Sequence, residues 1–376
     1  MAAAEPAATV PADKFKNWVW QLEVCNACRY CEGYCAVFPA LERRRTFTMA
    51  DVDYLANLCF DCRACYYACM FAPPHEFGVN IPQMMSEVRR ETYARYALPT
   101  VFARLLRSSW FAIGLLILAS ALFFLGMVYV SGDPGRLFLT HVGAGAFYVV
   151  IPYLLMTIPA LVISLGALAL LLIGALRFWK RTRGTLGDLL RPGAGLTAAT
   201  DALGLRYLTG GGAGGCDYPK DRPSFARYVL HSLVFWGFIS ALIATTSAYI
   251  QQDFLGWYPP YPLLSVPVIF GTVGGVAMII GSVGLLYLKR QSDREPADAA
   301  HLRMDNLFLW MLILINVTGL LLLALRETPA MGSLLVIHLA TVFALFLTIP
   351  YTKFAHFIYR YAALIQNRLE ERQSGH

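Results

Sequence analysis

The stretch that decides the reading is Cys25-Asn26-Ala27-Cys28-Arg29-Tyr30-Cys31-Glu32-Gly33-Tyr34-Cys35. It returns as Cys59-Phe60-Asp61-Cys62-Arg63-Ala64-Cys65-Tyr66-Tyr67-Ala68-Cys69. Both copies read Cys-x2-Cys-x2-Cys-x3-Cys, a run that wraps a [4Fe–4S] cubane with three close thiolates and sends the fourth towards another cubane. Pro39 and Pro73 each follow the last Cys of a run by four residues, so the repeat extends to the backbone. Structural zinc pairs two Cys-x2-4-Cys knuckles, and three cysteines in seven residues, twice over, do not fit that economy.

Outward from the runs, residues 1–14 are Ala- and Pro-rich and read as a disordered start. They lack a basic region followed by an apolar core, so they do not read as a signal peptide. The cysteines are therefore expected to face a reducing cytoplasm, where such patterns mean metal. A helix is expected over Phe15 to Val24. Between the runs, Thr48-Met49-Ala50-Asp51 resembles a capping box with Asp in place of Glu, opening a helix that carries Val52, Leu55 and Leu58. A loop from Ala72 to Pro82 leads to a charged helix from Gln83 to Tyr96. The fold class is all-α: a helical two-cluster domain over 15–98, a six-helix transmembrane bundle over 99–360, and a cytoplasmic tail over 361–376.

The bundle follows from composition. Of 376 residues, 57% are hydrophobic and 15% charged, against about 25% charged in soluble domains. Apolar spans lie at about 110–130, 149–176, 228–250, 264–288, 306–325 and 332–358, each long enough for a hydrocarbon core that takes about 20 residues. Pro159 and Pro350 predict kinks or tilt. The loop 177–227 carries Arg177, Lys180, Arg181, Arg183, Arg191, Arg206, Lys220, Arg222 and Arg227; 289–305 carries Lys289, Arg290, Arg294 and Arg303. By contrast 251–263 has no Lys or Arg and 131–148 only Arg136, so both termini are expected in the cytoplasm. The net charge of +7 is then membrane topology and not a nucleic-acid footprint. In the long loop, an amphipathic stretch from Leu196 to Leu208 and the glycines Gly210 to Gly215 read as a cap that docks on the cluster domain. Cys216 reads as a free thiol without a catalytic role.

By analogy with two-cluster ferredoxins, Cys25, Cys28, Cys31 and Cys69 are assigned to one [4Fe–4S] cluster, and Cys59, Cys62, Cys65 and Cys35 to the other. Of seven histidines, His75 and His376 read as bland and His301 as a solvated loop residue. Four lie near or within the spans. The spans hold no Asp, Glu or Arg, and intramembrane ionisable groups are functional candidates by default. His338 and His356, placed on one predicted helix 18 residues apart, share a face and stand about 27 Å apart. His231 is at the depth to face His356 and bind a haem iron; His141 is at the depth to face His338 as a possible second haem. Trp236, Trp257, Tyr258 and Tyr261 include interfacial belt positions.

The chain resembles the tricarballylate/citrate utilization protein B family over nearly its whole length. The carrying stretches are the two cysteine runs, Gly210 to Pro219 with Arg222-Pro223-Ser224, Leu323 to Gly332, and Pro350-Tyr351-Thr352-Lys353-Phe354-Ala355-His356. The resemblance implies haem b and a role as the membrane partner of a separate, cytoplasmic FAD-dependent tricarballylate dehydrogenase; the chain itself is expected in the bacterial inner membrane, with both termini in the cytoplasm. Electrons are expected to pass from that flavin through the two clusters and haem b to membrane quinone. No nucleophile, acid–base pair or nucleotide loop is found, so substrate chemistry of its own is not expected. Two other readings are a heterodisulfide-reductase-like or nitrate-reductase-gamma-like redox module, and a transporter with a regulatory cluster domain. The first wants cysteines beyond Cys216, the second charged groups at mid-membrane.

Overall fold

The computed structural model describes residues 10–107, 109–182, 184–189, 192–210 and 215–374. Most of the expected disordered start, Gly211 to Gly214, Arg183, Arg191 and His376 lie outside them. Helices α1 (Ala12–Cys28), α2 (Val37–Glu42), α3 (Met49–Leu58), α4 (Ala64–Tyr67) and α5 (Ile81–Tyr96) build the N-terminal domain. The first begins before Phe15 and runs on through Cys28, so Cys25 and Cys28 share a face of its last turn. It stops at Arg29, whose φ of 55° is left-handed and whose N–H returns to the Cys25 carbonyl. Asp61 and Arg63 are also left-handed, at φ 56° and 67°, and curl the second run. The capping box is present: the Thr48 side chain accepts from Asp51 N, and Asp51 Oδ2 accepts from Thr48 N at 3.0 Å. Trp18, Leu22, Val52, Leu55, Met85 and Val88 pack the domain core.

Helix α6 (Thr100–Leu106) leads to the spans α7 (Trp110–Val130), α9 (Tyr153–Arg181), α12 (Ala226–Asp253), α13 (Val266–Gln291), α14 (Ala299–Ala324) and α15 (Met331–Thr348), with α8 (Ala146–Val150), α10 (Leu186–Leu189) and α11 (Pro192–Leu203) between them. Six described helices are long and apolar enough to cross a membrane. Their outward faces are apolar, with Phe111, Leu118, Val130 and Val273 exposed, as lipid requires. Small residues let α12 and α13 approach closely. A Cβ on Gly237 would fall 2.8 Å from the Gly274 carbonyl, so larger residues at this crossing would push the helices apart.

The last span differs from expectation. No helix continues from 332 to 358. The α-helix ends at Thr348, 3-10 turns follow at Ile349–Tyr351 and Lys353–Ala355, and α16 (His356–Gln373) then starts. Pro350, with no N–H to give, supplies the reason. His338 and His356 therefore stand on separate helices. Nor is the segment from 361 a tail: Ala363, Leu364, Ile365 and Asn367 of α16 are buried. Arg44 Nη2 bonds Glu370 Oε1 at 2.7 Å, and Arg43 bonds Asn367 at 3.2 Å. The C-terminal helix is thus clamped to the N-terminal domain, with both at one end of the bundle. The long loop docks on the same assembly: Arg368 Nε bonds Asp201 Oδ2 at 2.9 Å, and the Tyr207 ring sits 5.6 Å from Phe60.

Candidate electron-transfer centre

The cysteines gather around two adjoining cavities. One is lined by Cys25, Cys28, Cys31 and Cys69, together with Cys65, Val24, Phe38 and Phe71. The second is lined by Cys35, Cys59, Cys62 and Cys65, with Phe60, Asp61, Arg63 and Tyr207. The last Cys of each run thus crosses to the other run's site, and Cys65 borders both. Burial pushes the Cys25 thiol up to about 12 and Cys31 up to about 11, and neighbouring thiols add to both shifts. Such thiols become thiolates when a cationic centre takes them as ligands. Among the described residues no three His, Cys, Asp or Glu side chains converge on a single ion. Thiols ringed about a cavity suit a cubane better than a lone zinc, whose sulfurs sit about 2.3 Å from one centre.

Towards the bundle, the next group is a histidine pair. His231 and His356 have ring centres 6.4 Å apart and planes at 87°. Two imidazoles sharing one metal through bonds of about 2 Å have centres about 6 Å apart, so His231 and His356 have the spacing of a pair that could hold one haem iron. His356 Nδ1 lies 2.7 Å from the Lys353 carbonyl, which holds the proton there and leaves Nε2 for a metal. His231 Nδ1 is buried without a partner. One helical turn joins this pair to the inner cysteines. Four residues after His356, Arg360 Nη2 donates to the Cys59 carbonyl at 2.9 Å. Four residues before His231, Arg227 Nη1 donates to the Asp61 carbonyl.

His141 and His338 are not brought into ring contact. His141 Nε2 lies 2.9 Å from the Arg136 carbonyl of its own loop, and His338 Nδ1 lies 3.1 Å from Thr318 Oγ1. The helix break that frees His356 removes the geometric link between the two proposed pairs. His301 is no solvated residue: it is 4% exposed, with Nε2 2.8 Å from Lys353 Nζ and 3.5 Å from Asp305 Oδ1. The loop expected to carry it is the first turn of α14. Cys216 is buried in a small cluster with Cys62, Ala64 and Leu288, and its Sγ donates to the Leu208 carbonyl. In the sequence Arg227 reads as a positive-inside residue, and Arg360 carries no reading of its own. Their spacing of four from a candidate histidine was the signal available.

A helical bundle of six potential spans, carrying a small helical domain with two cysteine-ringed cavities, is compatible with a multi-pass membrane protein that bears a ferredoxin-like domain. Comparison with known proteins agrees. The sequence model of the family described as citrate utilization protein B matches residues 104–376, and that of the citrate utilization protein B Fer4-like domain matches residues 19–95. The chain is 44% identical to citrate utilization protein B of Escherichia coli over 352 residues, 94% of this chain and 91% of that protein. No solved structure matches it significantly. The chain belongs to the citrate utilization protein B family.

Proposed function

We propose that this protein is a membrane electron carrier. It takes electrons from the reduced FAD of a cytoplasmic dehydrogenase acting on tricarballylate or a related tricarboxylate. Two [4Fe–4S] clusters and one haem b pass them to membrane quinone. The observation that carries the reading is the alignment of outer cysteines, inner cysteines and the His231/His356 pair at one end of the bundle. Cys25, Cys28, Cys31 and Cys69 would hold the outer cluster, and Cys35, Cys59, Cys62 and Cys65 the inner one. When bound, these groups supply one-electron chemistry that side chains lack. The chain's own task is ligation, spacing and exclusion of water. Phe354 packs on Phe238 at 5.1 Å and on Phe308 at 5.9 Å, an apolar wall next to His356. A second haem at His141 and His338 is not part of the proposal.

The termini are placed in the cytoplasm of a bacterial inner-membrane protein, on the strength of the Lys and Arg bias in loops 177–227 and 289–305. The test is an anaerobic titration of purified protein, in detergent, with a reduced FAD dehydrogenase of this substrate class. Reduction of a b-type haem band is expected in the intact chain and its loss in Cys59→Ser. A haem reduced equally well in both would contradict the path through the cysteines.

A further inference from the structure

The two cysteine sites differ in their charge. The outer cavity is lined by cysteines, apolar residues and Tyr30, with no Arg, Lys, Asp or Glu. The inner site is surrounded by guanidinium groups. Arg89 Nη1 donates to the Cys59 carbonyl at 2.9 Å and to the Ala56 carbonyl at 3.1 Å. Arg360 Nη2 donates to the same Cys59 carbonyl at 2.9 Å. Arg63 lines the cavity, and Arg227 reaches the Asp61 carbonyl. Arg63 and Arg89 are 1% and 2% exposed. The Nε atoms of Arg63, Arg89 and Arg360 are buried without hydrogen-bond partners. The carboxylate set against them is Asp61, which lines the same cavity and lies 4.0 Å from both Arg63 and Arg227. Four guanidinium groups against Asp61, with the Asp293 carbonyl accepting from Arg63 Nη1 at 3.1 Å, leave a surplus of positive charge that the lining of the outer cavity lacks. One sulfur is also hydrogen-bonded, by Asp61 N to Cys59 Sγ at 3.3 Å.

Resting on the function proposed above, we infer that the inner cysteine site holds the higher-potential cluster, and that Arg360 and Arg227 set its potential through fixed positive charge. Adding an electron makes a thiolate-ligated cluster more negative. Nearby cations and N–H···S bonds favour that form, whereas burial opposes it. At an effective dielectric of about 20, one charge about 7 Å away changes a redox ratio by roughly fiftyfold. A surplus of several charges therefore outweighs the difference in burial between the sites. The arrangement draws electrons inward, from the outer cysteines towards the histidine pair. The two residues stand one turn from His356 and His231 on the same helices, so the helices that carry the histidines also supply the charge that tunes the N-terminal domain.

The test is an EPR-monitored redox titration of the purified, iron-loaded chain as wild type, Arg360→Gln and Arg360→Lys. The inner signal is the one altered by Cys62→Ser, and the outer signal the one altered by Cys28→Ser. In wild type the inner cluster is expected to be reduced first. R360Q should lower its reduced-to-oxidised ratio at a fixed potential by about tenfold or more, with the outer cluster little changed and R360K restoring most of the loss. An outer cluster reduced first, an unchanged inner ratio in R360Q, or equal losses in R360Q and R360K would each overturn the inference. If R360Q purifies without iron, Arg227→Gln is read in the same way. A wild-type chain that binds no clusters would instead overturn the proposed function.

Discussion

His356 is held on both sides of its ring. Its Nδ1 is fixed by the Lys353 carbonyl at 2.7 Å, and its ring meets His231 at 6.4 Å between centres. Replacing His356 by Ala should abolish haem binding while both cluster EPR signals remain, since no cysteine ligand depends on that side chain. His338→Ala should leave haem content unchanged, as measured by the pyridine haemochrome spectrum. Inside the N-terminal domain the buried Asp53 carboxylate has an Arg95 partner at 2.7 Å and the Tyr96 hydroxyl at 2.8 Å. Arg95→Met would strand a buried charge and should cost about 3–5 kcal/mol, read as a lowered thermal midpoint of cluster loss. That the cysteines gather and that His231 comes near His356 was legible from residue type, spacing and predicted membrane depth, although the depth argument places His356 on a continuous span. The charged contacts were not: Arg227 has an ordinary topological reading beside a span, and Arg89 and Arg360 carry no pattern in the sequence that points to Cys59. Only the fold shows that both donate to one cysteine carbonyl. His301 was hidden in the same way, by neighbours that are polar in sequence and buried in space.

Among the elements, α3 and the break before α16 carry the clearest consequences. Thr48 closes the start of α3, whose buried face includes Val52, Leu55 and Leu58 and which delivers Cys59. Thr48→Ala should destabilise the N-terminal domain by about 1 kcal/mol, measurable by denaturant unfolding of the iron-loaded chain, with no change in cluster spectra. That helix was readable from the capping pattern and the apolar spacing. The break was only half readable: Pro350 signalled a kink, but a helix that stops and restarts through two 3-10 turns depends on tertiary contacts. One such contact is Tyr351 Oη to the Leu98 carbonyl at 2.9 Å. The break matters because it turns His356 from a residue on a span into the first residue of a helix that lies under the cysteine domain.

The molecule as a whole is joined end to end by α16. Arg44 bridges Asp51 at 2.8 Å and Glu370 at 2.7 Å, tying the cysteine domain to the C-terminal helix. Glu370→Ala should loosen this docking, seen as faster proteolytic release of the N-terminal domain. Because the domain and α16 share one end, reporter fusions at residues 1 and 376 should both behave as cytoplasmic, and a fusion within 254–265 as external. The measurement that bears most directly on the proposed electron path is the reduced-minus-oxidised optical spectrum of the purified chain beside that of His356→Ala. A b-type haem band in the wild type, lost in the variant while cluster EPR persists, is the predicted result. A wild type without a haem band, or a variant that keeps it in full, would contradict the path from cysteines to histidines.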